Sequence, residues 1–239
     1  MNKLAIYIQL IPLLLCASSM AFYSPQAQAT QATQSAQTMP IVVELFTSKF
    51  CPACPNADHN FNQLIAKDPN IIGLSCHVSY FNRNGRGDKL ARPFCDARQN
   101  VYKLALNTGG IYTPMTIING SAVTTGIKQN ELNPLIQKTK TAKNRPVGFL
   151  RNGEYLNISL PQINLPHGAD IWLFEIENRP DEENYTHYRN TVKNITKLLR
   201  WDGKKLNMAF PAEQKAGISY ALIIQTYKGG IIAAAQTGS

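Results

Sequence analysis

The chain has 239 residues, with 24 Lys or Arg against 15 Asp or Glu, so its formal net charge is +9. That length is enough for one large domain or two small ones. The basic residues are dispersed, and no aromatic–basic motif accompanies them. The charge therefore predicts a solvated basic surface, with no nucleic acid as a partner.

The first 29 residues have the pattern of a signal peptide. Lys3 supplies a positive start, residues 4–17 are mostly apolar, and residues 27–29 read Ala-Gln-Ala, a small-x-small cleavage signal. The apolar run is too short for a membrane span, so we expect no stable span after signal removal. Residues 30–40 are polar and low in complexity, which predicts a flexible leader. The expected location is periplasmic or secreted.

Two cysteines stand where a predicted strand turns into a predicted helix. Residues 41–46 are apolar and β-branched, which predicts a buried strand, and apolar residues recur at helical spacing from Ala57 to Ile65. Cys51 and Cys54 lie between these elements, where the positive end of the helix dipole favours a thiolate. We expect Cys51 to be the more exposed, attacking thiol and Cys54 the deeper, resolving thiol.

The same pair of cysteines permits other interpretations. Half of a zinc site would need a second ligand pair, and none occurs; Cys76-His77 is the nearby candidate, but adjacent strand residues point to opposite faces. Redox chemistry is favoured, with no metal and no cofactor. The alternatives are a protein that handles copper or zinc with these cysteines, a structural disulfide, and a binding module without catalysis.

Further along, the predicted order is strand, helix, Thr-Pro, strand, strand, helix. A strand is predicted at 71–81 and a loop at 82–88. The helix at 91–106 has a predicted apolar face. That face consists of Phe94, Ala97, Val101, Leu104 and Ala105. Two strands at 115–119 and 122–125 and a short helix at 131–139 complete this part.

This order resembles the thioredoxin fold over about residues 41–140. Thr113-Pro114 matches the cis-proline that faces the dithiol in that fold, where the backbone beside it pairs with a bound substrate chain. The resemblance implies substrate contacts at Tyr112, Thr113 and Pro114, together with Phe50 beside the first cysteine.

Glu44 is an unusual carboxylate in the apolar strand that leads to the dithiol. In thioredoxin-like proteins a buried acid beneath the deeper cysteine accepts its proton, and the resemblance makes Glu44 a candidate, with His77 sharing the proton. The equal alternative is that Glu44 caps backbone amides or pairs with a basic residue.

Several segments of the chain are similar to those of a narrower protein family. They are Val-Val-Glu-Leu-Phe-Thr-Ser, Cys-Pro-Ala-Cys-Pro-Asn-Ala-Asp and Ile-Tyr-Thr-Pro. The chain looks like a member of a family of secreted bacterial thioredoxin-like proteins known only as a domain of unknown function. With the dithiol, the resemblance implies partners of two kinds: protein thiols or disulfides, and a redox partner that recycles the dithiol.

Loss of Cys16 with the signal leaves four cysteines. Cys76 on the second strand and Cys95 on the following helix are both predicted to face inward, so we expect a structural Cys76–Cys95 disulfide. Two buried free thiols are one alternative. The other is a pair that relays electrons to or from the active dithiol.

From residue 146 to residue 239 strands dominate. Asn152-Gly153 marks a hairpin, and residues 191–199 are ambiguous between helix and strand but favour strand. The fold class is therefore α/β, a thioredoxin-like domain at 41–140 followed by a small antiparallel β-sandwich-like domain at 146–239. The second domain has no catalytic constellation, and we expect it to shape a substrate cleft or a docking surface.

Overall fold

The computed structural model describes residues 39–82, 87–139, 145–180 and 184–238. The predicted signal peptide and the predicted leader, except for Met39 and Pro40, lie outside these ranges. Within them, no helix is both long enough and apolar enough to cross a membrane.

The first part of the described chain alternates strands and helices. Its elements are β1 (Ile41–Thr47), α1 (Cys54–Lys67), β2 (Ile71–His77), α2 (Pro93–Leu106), β3 (Met115–Ile118), β4 (Ala122–Thr124) and α3 (Gln129–Thr139). β1 pairs in parallel with β2 and antiparallel with β3. The α/β class and the thioredoxin-like order of elements are confirmed.

The second part consists of strands. They are β5 (Gly148–Asn152), β6 (Tyr155–Leu160), β7 (Ala169–Glu177), β8 (Thr191–Trp201), β9 (Leu206–Pro211), β10 (Ile218–Gln225) and β11 (Ile231–Gln236). β5, β6 and β9 form a three-stranded antiparallel sheet, while the others extend the first sheet in the order β11-β10-β7-β8-β2-β1-β3-β4. The predicted β-rich second part is present, and one core holds side chains of both sheets.

The eight-stranded sheet runs across the predicted domain boundary. β2 and β8 pair in parallel through Ser75 and Thr191, and Ser75 N–H donates to the carbonyl of Asn190 at 2.9 Å. Hydrogen bonds between strands therefore join the two parts of the chain. The division into domains at 140 and 146 stays a prediction.

The large sheet separates two sets of side chains. Val43 and Leu45 of β1 pack with Phe61 of α1, whereas Phe46 and Cys76 pack on the side of α2. This follows from the period-two alternation of strand side chains. The dithiol helix and the second helix therefore lie on opposite faces of the sheet.

The prediction that α2 packs through its apolar face is wrong. Val101 and Leu104 are 54% and 78% exposed. The buried residues of the helix are Cys95, Arg98, Gln99 and Tyr102. Apolar periodicity failed here because this helix packs through hydrogen-bonding side chains that find partners inside the protein.

Cys76 and Cys95 form a disulfide between β2 and α2, with their Cα atoms 5.5 Å apart. The two cysteines are only 1% and 0% exposed. The bridge fits the predicted structural role. A relay of electrons to the dithiol would need an exposed sulfur, and neither cysteine supplies one.

Glu44 and Arg98 form a buried ion pair on the α2 side of the sheet. Arg98 donates from Nε to Glu44 Oε2 and from Nη2 to Glu44 Oε1 at 2.8 Å, and the Tyr102 hydroxyl donates to Oε1. Glu44 is 1% exposed and Arg98 7%. Pairing with a basic residue, the alternative for Glu44, is what the structure contains. Its predicted role as proton acceptor for Cys54 is wrong, because Glu44 faces α2 and Cys54 begins α1.

We expect Glu44→Gln to destabilise the protein by about 3–5 kcal/mol, because it leaves the Arg98 charge buried without a counter-ion. Replacing both partners, as in Glu44→Leu with Arg98→Met, should cost less than the sum of the single changes. Urea denaturation of the unaltered protein, Glu44→Gln, the two other single variants and the double variant measures both effects. Lys128→Ala, which breaks an exposed pair with Glu131, is the control and should change stability little. Unchanged stability of Glu44→Gln would contradict the structural role.

Candidate active site

The dithiol occupies the turn between β1 and α1. Cys51 N–H donates to the Ser48 carbonyl at 3.1 Å, and Cys54 N–H donates to the Cys51 carbonyl at 3.2 Å. Cys51 and Cys54 are disulfide-bonded, with Cα atoms 5.4 Å apart. Cys51 is 3% exposed and Cys54 0%, so the order of exposure is the predicted one, although only an edge of Cys51 reaches solvent.

The Thr-Pro pair lies against the dithiol. Cys51 Sγ is 3.5 Å from the carbonyl oxygen of Thr113, and the Thr113–Pro114 peptide bond is cis. Gln99 Nε2 donates to the Tyr112 carbonyl at 2.8 Å, which ties this loop to α2. Tyr112 is 37% exposed beside the site.

Phe50 precedes Cys51 and is half-buried, and its N–H donates to Ser48 Oγ at 3.2 Å. Its position next to the dithiol permits the predicted substrate contact.

A buried polar layer lies on the α1 face of the sheet, under the first turns of the helix. It consists of Thr47 at the end of β1, His77 at the end of β2, Thr191 at the start of β8 and Asp58 of α1. Thr47 is the register partner of His77. Asp58 follows Cys54 by four residues, so the two side chains are neighbours on one face of the helix.

His77 is held by Asp88. Its Nδ1 lies 2.8 Å from Asp88 Oδ2, and Asp88 also accepts the N–H groups of Lys49 at 2.9 Å and Leu90 at 3.0 Å. Burial alone would raise the pKa of Asp88. The hydrogen bond and charge of His77, with the two backbone donors, outweigh burial and hold that pKa below its ordinary value.

The pKa of Asp58 shifts in the direction opposite to that of Asp88. It is 6% exposed, and burial raises its pKa from 3.8 to about 6. The nearby Thr47 hydroxyl and the His77 ring oppose this rise, and Asp88 adds to it. Within the described ranges, Asp58 Oδ1, Thr47 Oγ1, His77 Nε2 and Thr191 Oγ1 are buried without a hydrogen-bond partner.

The connection between β7 and β8 covers this layer. The Tyr188 ring meets His77 edge to face at 4.5 Å between centroids, and Lys49 Nζ lies 4.1 Å from the centre of the Tyr185 ring. The Tyr185 hydroxyl also accepts the Lys89 N–H at 3.0 Å. Residues of the β-rich part therefore cover the buried polar layer next to the dithiol turn. The sequence had predicted only that this part shapes a substrate cleft or a docking surface.

Sequence reasoning missed Asp58 and Asp88. Asp58 could have been found, because an acid four residues after Cys54 shares its helix face. Asp88 lies in a polar loop whose course the sequence does not reveal. Among the residues that the structure describes, no group of three or more His, Cys, Asp or Glu side chains is arranged to hold a metal ion.

Asp58→Asn should stabilise the oxidised protein at pH 8 and have little effect at pH 4. The folded-state pKa of about 6 exceeds the ordinary 3.8, so the folded protein binds more protons in that window and its free energy of unfolding falls as pH rises. Removing the carboxylate should recover about 2–3 kcal/mol at pH 8, measured by urea denaturation at both pH values.

Asp202→Asn is the matched control for this experiment. Asp202 is exposed, and its backbone and side-chain hydrogen bonds from Lys204 lower its pKa, so its replacement should not stabilise the protein at pH 8. Equal effects of Asp58→Asn at both pH values would contradict the raised pKa of Asp58.

Two solved structures and one protein-family model are similar to this chain. A crystal structure of a protein from Agrobacterium tumefaciens aligns with a TM-score of 0.73 at 28% identity, covering 84% of this chain and 95% of that one. HBP35 of Porphyromonas gingivalis aligns with a TM-score of 0.60 at 12% identity, covering 85% of this chain and 76% of that one, a likeness of fold alone. No curated protein matches. A model of a protein family of unknown function, DUF1223, matches residues 42–225, and the chain therefore belongs to that family.

Proposed function

We propose that this protein is a thiol–disulfide oxidoreductase of the thioredoxin superfamily that acts on protein thiols and disulfides. One observation carries the proposal: the Cys51–Cys54 disulfide stands at the start of α1 with Cys51 Sγ 3.5 Å from the Thr113 carbonyl. A substrate chain that pairs with the backbone at Thr113 would bring its own sulfur to Cys51.

The reaction starts from the reduced protein. The Cys51 thiolate attacks a substrate disulfide, so a mixed disulfide forms and one substrate thiolate leaves. Cys54 then attacks Cys51 Sγ, which forms the Cys51–Cys54 disulfide and releases the second substrate thiolate. Two electrons pass from the protein to the substrate, and the Cys54 proton must go to a base. The reverse sequence oxidises a substrate dithiol.

Asp58 takes the acceptor role that the sequence suggested for Glu44. It shares a helix face with Cys54, whereas Glu44 is bound by Arg98 on the opposite face of the sheet. A pKa of about 6 suits a base that must be ionised near neutral pH and still bind a proton well.

The proposed location is periplasmic or secreted. A second, fully buried Cys76–Cys95 bridge in a chain with a signal-like start supports a periplasmic or secreted protein, because disulfides persist in oxidising surroundings. The dithiol then needs a redox partner that recycles it. The direction of transfer depends on its reduction potential: roughly −270 mV, as in thioredoxin, would favour a reductant, and roughly −120 mV an oxidant.

We expect iodoacetamide at pH 6 to label the reduced protein first at Cys51, because the resolving Cys54 is fully buried and Cys51 has an exposed edge. Cys51→Ser should abolish reduction of insulin. His59→Gln, an exposed change on the same helix, should leave it intact. Peptide mass mapping locates the label.

Four outcomes would count against the proposal. Faster labelling of Cys54 would reverse the roles of the two thiols. Insulin reduction by Cys51→Ser would remove the dithiol from the chemistry. Copper or zinc bound by the reduced protein after anaerobic purification, without insulin reduction, would favour the metal-handling alternative, and neither activity would favour a binding module.

A further inference from the structure

His77 has one nitrogen that the fold engages and one that it leaves free. A carboxylate can only accept hydrogen bonds, so Nδ1 carries the hydrogen that binds Asp88 Oδ2, and in the neutral ring Nε2 is left with its lone pair. His77 is fully buried, and its Nε2 has no partner among the described residues. An acid–histidine pair with a free Nε2 is arranged to accept a proton.

The ring lies on the α1 side of the sheet. Gly73 and His77 share a face of β2, and a Cβ on Gly73 would collide with Ile65 and Phe61 of α1. Asp58 projects from the same helix into this space, where its pKa responds to His77. The Cys54 side chain lies one turn away from Asp58.

Two hydroxyls join the layer. Thr47 and Thr191 come from the strands on either side of β2, and their buried Oγ1 atoms also lack partners among the described residues. A hydroxyl can donate to one neighbour and accept from another. Buried unpaired polar atoms cost about 1–3 kcal/mol each, and the four in this layer are placed where they could hydrogen-bond to one another after small side-chain rotations.

We propose that His77, held by Asp88, is the second station of a buried proton relay that begins at Cys54 and passes through Asp58. The inference rests on the proposed function and extends it. As Cys54 forms its bond to Cys51 and the substrate thiolate leaves, the Cys54 proton passes to the Asp58 carboxylate. It passes on to His77 Nε2 once side-chain rotation brings the two groups, which are unpaired in the oxidised protein, within hydrogen-bond distance. The imidazolium is balanced by the Asp88 carboxylate, and the proton returns to Cys54 when the disulfide is reduced.

The surroundings of the relay are otherwise fixed in charge near neutral pH. Burial and the neighbouring carboxylates of Asp58 and Asp88 raise the pKa of the Tyr188 hydroxyl, so it stays neutral. Burial lowers the pKa of His187, and His77 and Lys49 lower it further. Lys49 lies over the Tyr185 ring rather than in the layer. The relay proton therefore has Asp58 and His77 as its two resting places.

The test follows each chemical step in the full-length protein. The reduced protein is mixed with an aromatic disulfide that releases one thionitrobenzoate when Cys51 attacks and a second when Cys54 resolves. Asp58→Asn should slow the second release by about 100-fold and leave the first unchanged. His77→Asn still places a donor near Asp88 but has no group at the position of Nε2.

His77→Asn should move the pH midpoint of the second release upward, because the charge of His77 lowers the pKa of Asp58. His59→Gln should shift neither release. If His77→Asn leaves the pH profile of the second release unchanged while Asp58→Asn slows it, Asp58 acts alone and the relay is overturned. The reagent needs no protein substrate, so inactivity on insulin with both releases intact would count against the proposed function only.

A measurement on the unaltered protein covers the case in which His77→Asn does not fold. Nitrogen NMR of histidine-labelled protein reports the protonation of each ring. At one pH, the His77 ring should be more protonated in the oxidised protein than in the reduced protein, since the relay stores the proton of Cys54. Equal protonation in both states would overturn the proposal.

Discussion

The buried ion pair of Glu44 and Arg98 is the constraint around which this fold is arranged. A guanidinium in the interior needs a carboxylate and further hydrogen-bond partners, and it finds them on β1, on α2 and at Gln225 of β10, with the Phe174 ring 4.7 Å away. The pair therefore joins the thioredoxin-like part to the strands that follow it.

The ion pair also sets the rotation of α2. Because Arg98 must face β1, the helix buries Gln99 and Cys95 beside it and exposes Val101 and Leu104. Gln99 then reaches the loop that ends at Thr113, and Cys95 reaches Cys76. One buried charge pair thus positions, through a single helix, both the second disulfide and the carbonyl against which Cys51 rests.

Local patterns predicted most of the fold, and contacts distant in sequence account for what they missed. The strand before Cys51, the helix after it and the Thr-Pro pair followed from periodicity and spacing. The face of α2 did not, because apolar spacing cannot show that Arg98 has a partner 54 residues away. Glu44 was misassigned for the same reason, since β-strand alternation leaves open which helix covers which face. The parallel pairing of β2 with β8 depends on the strand register at Ser75 and Thr191, which no local pattern encodes.

The ionisable groups on the two faces of the large sheet differ in how they are paired. On the α2 face, Glu44 and Arg98 neutralise each other. Either charge would destabilise the fold if its partner were removed. On the α1 face, Asp58 and His77 keep buried atoms unpaired, which lowers stability and is compatible with the proton exchange that we propose. Further hydrogen-bond donors to Asp58 would lower its pKa and make it a weaker acceptor for the proton of Cys54 in the proposed reaction. The cost in stability that we expect Asp58→Asn to remove is therefore the condition for the acceptor role that we propose for Asp58.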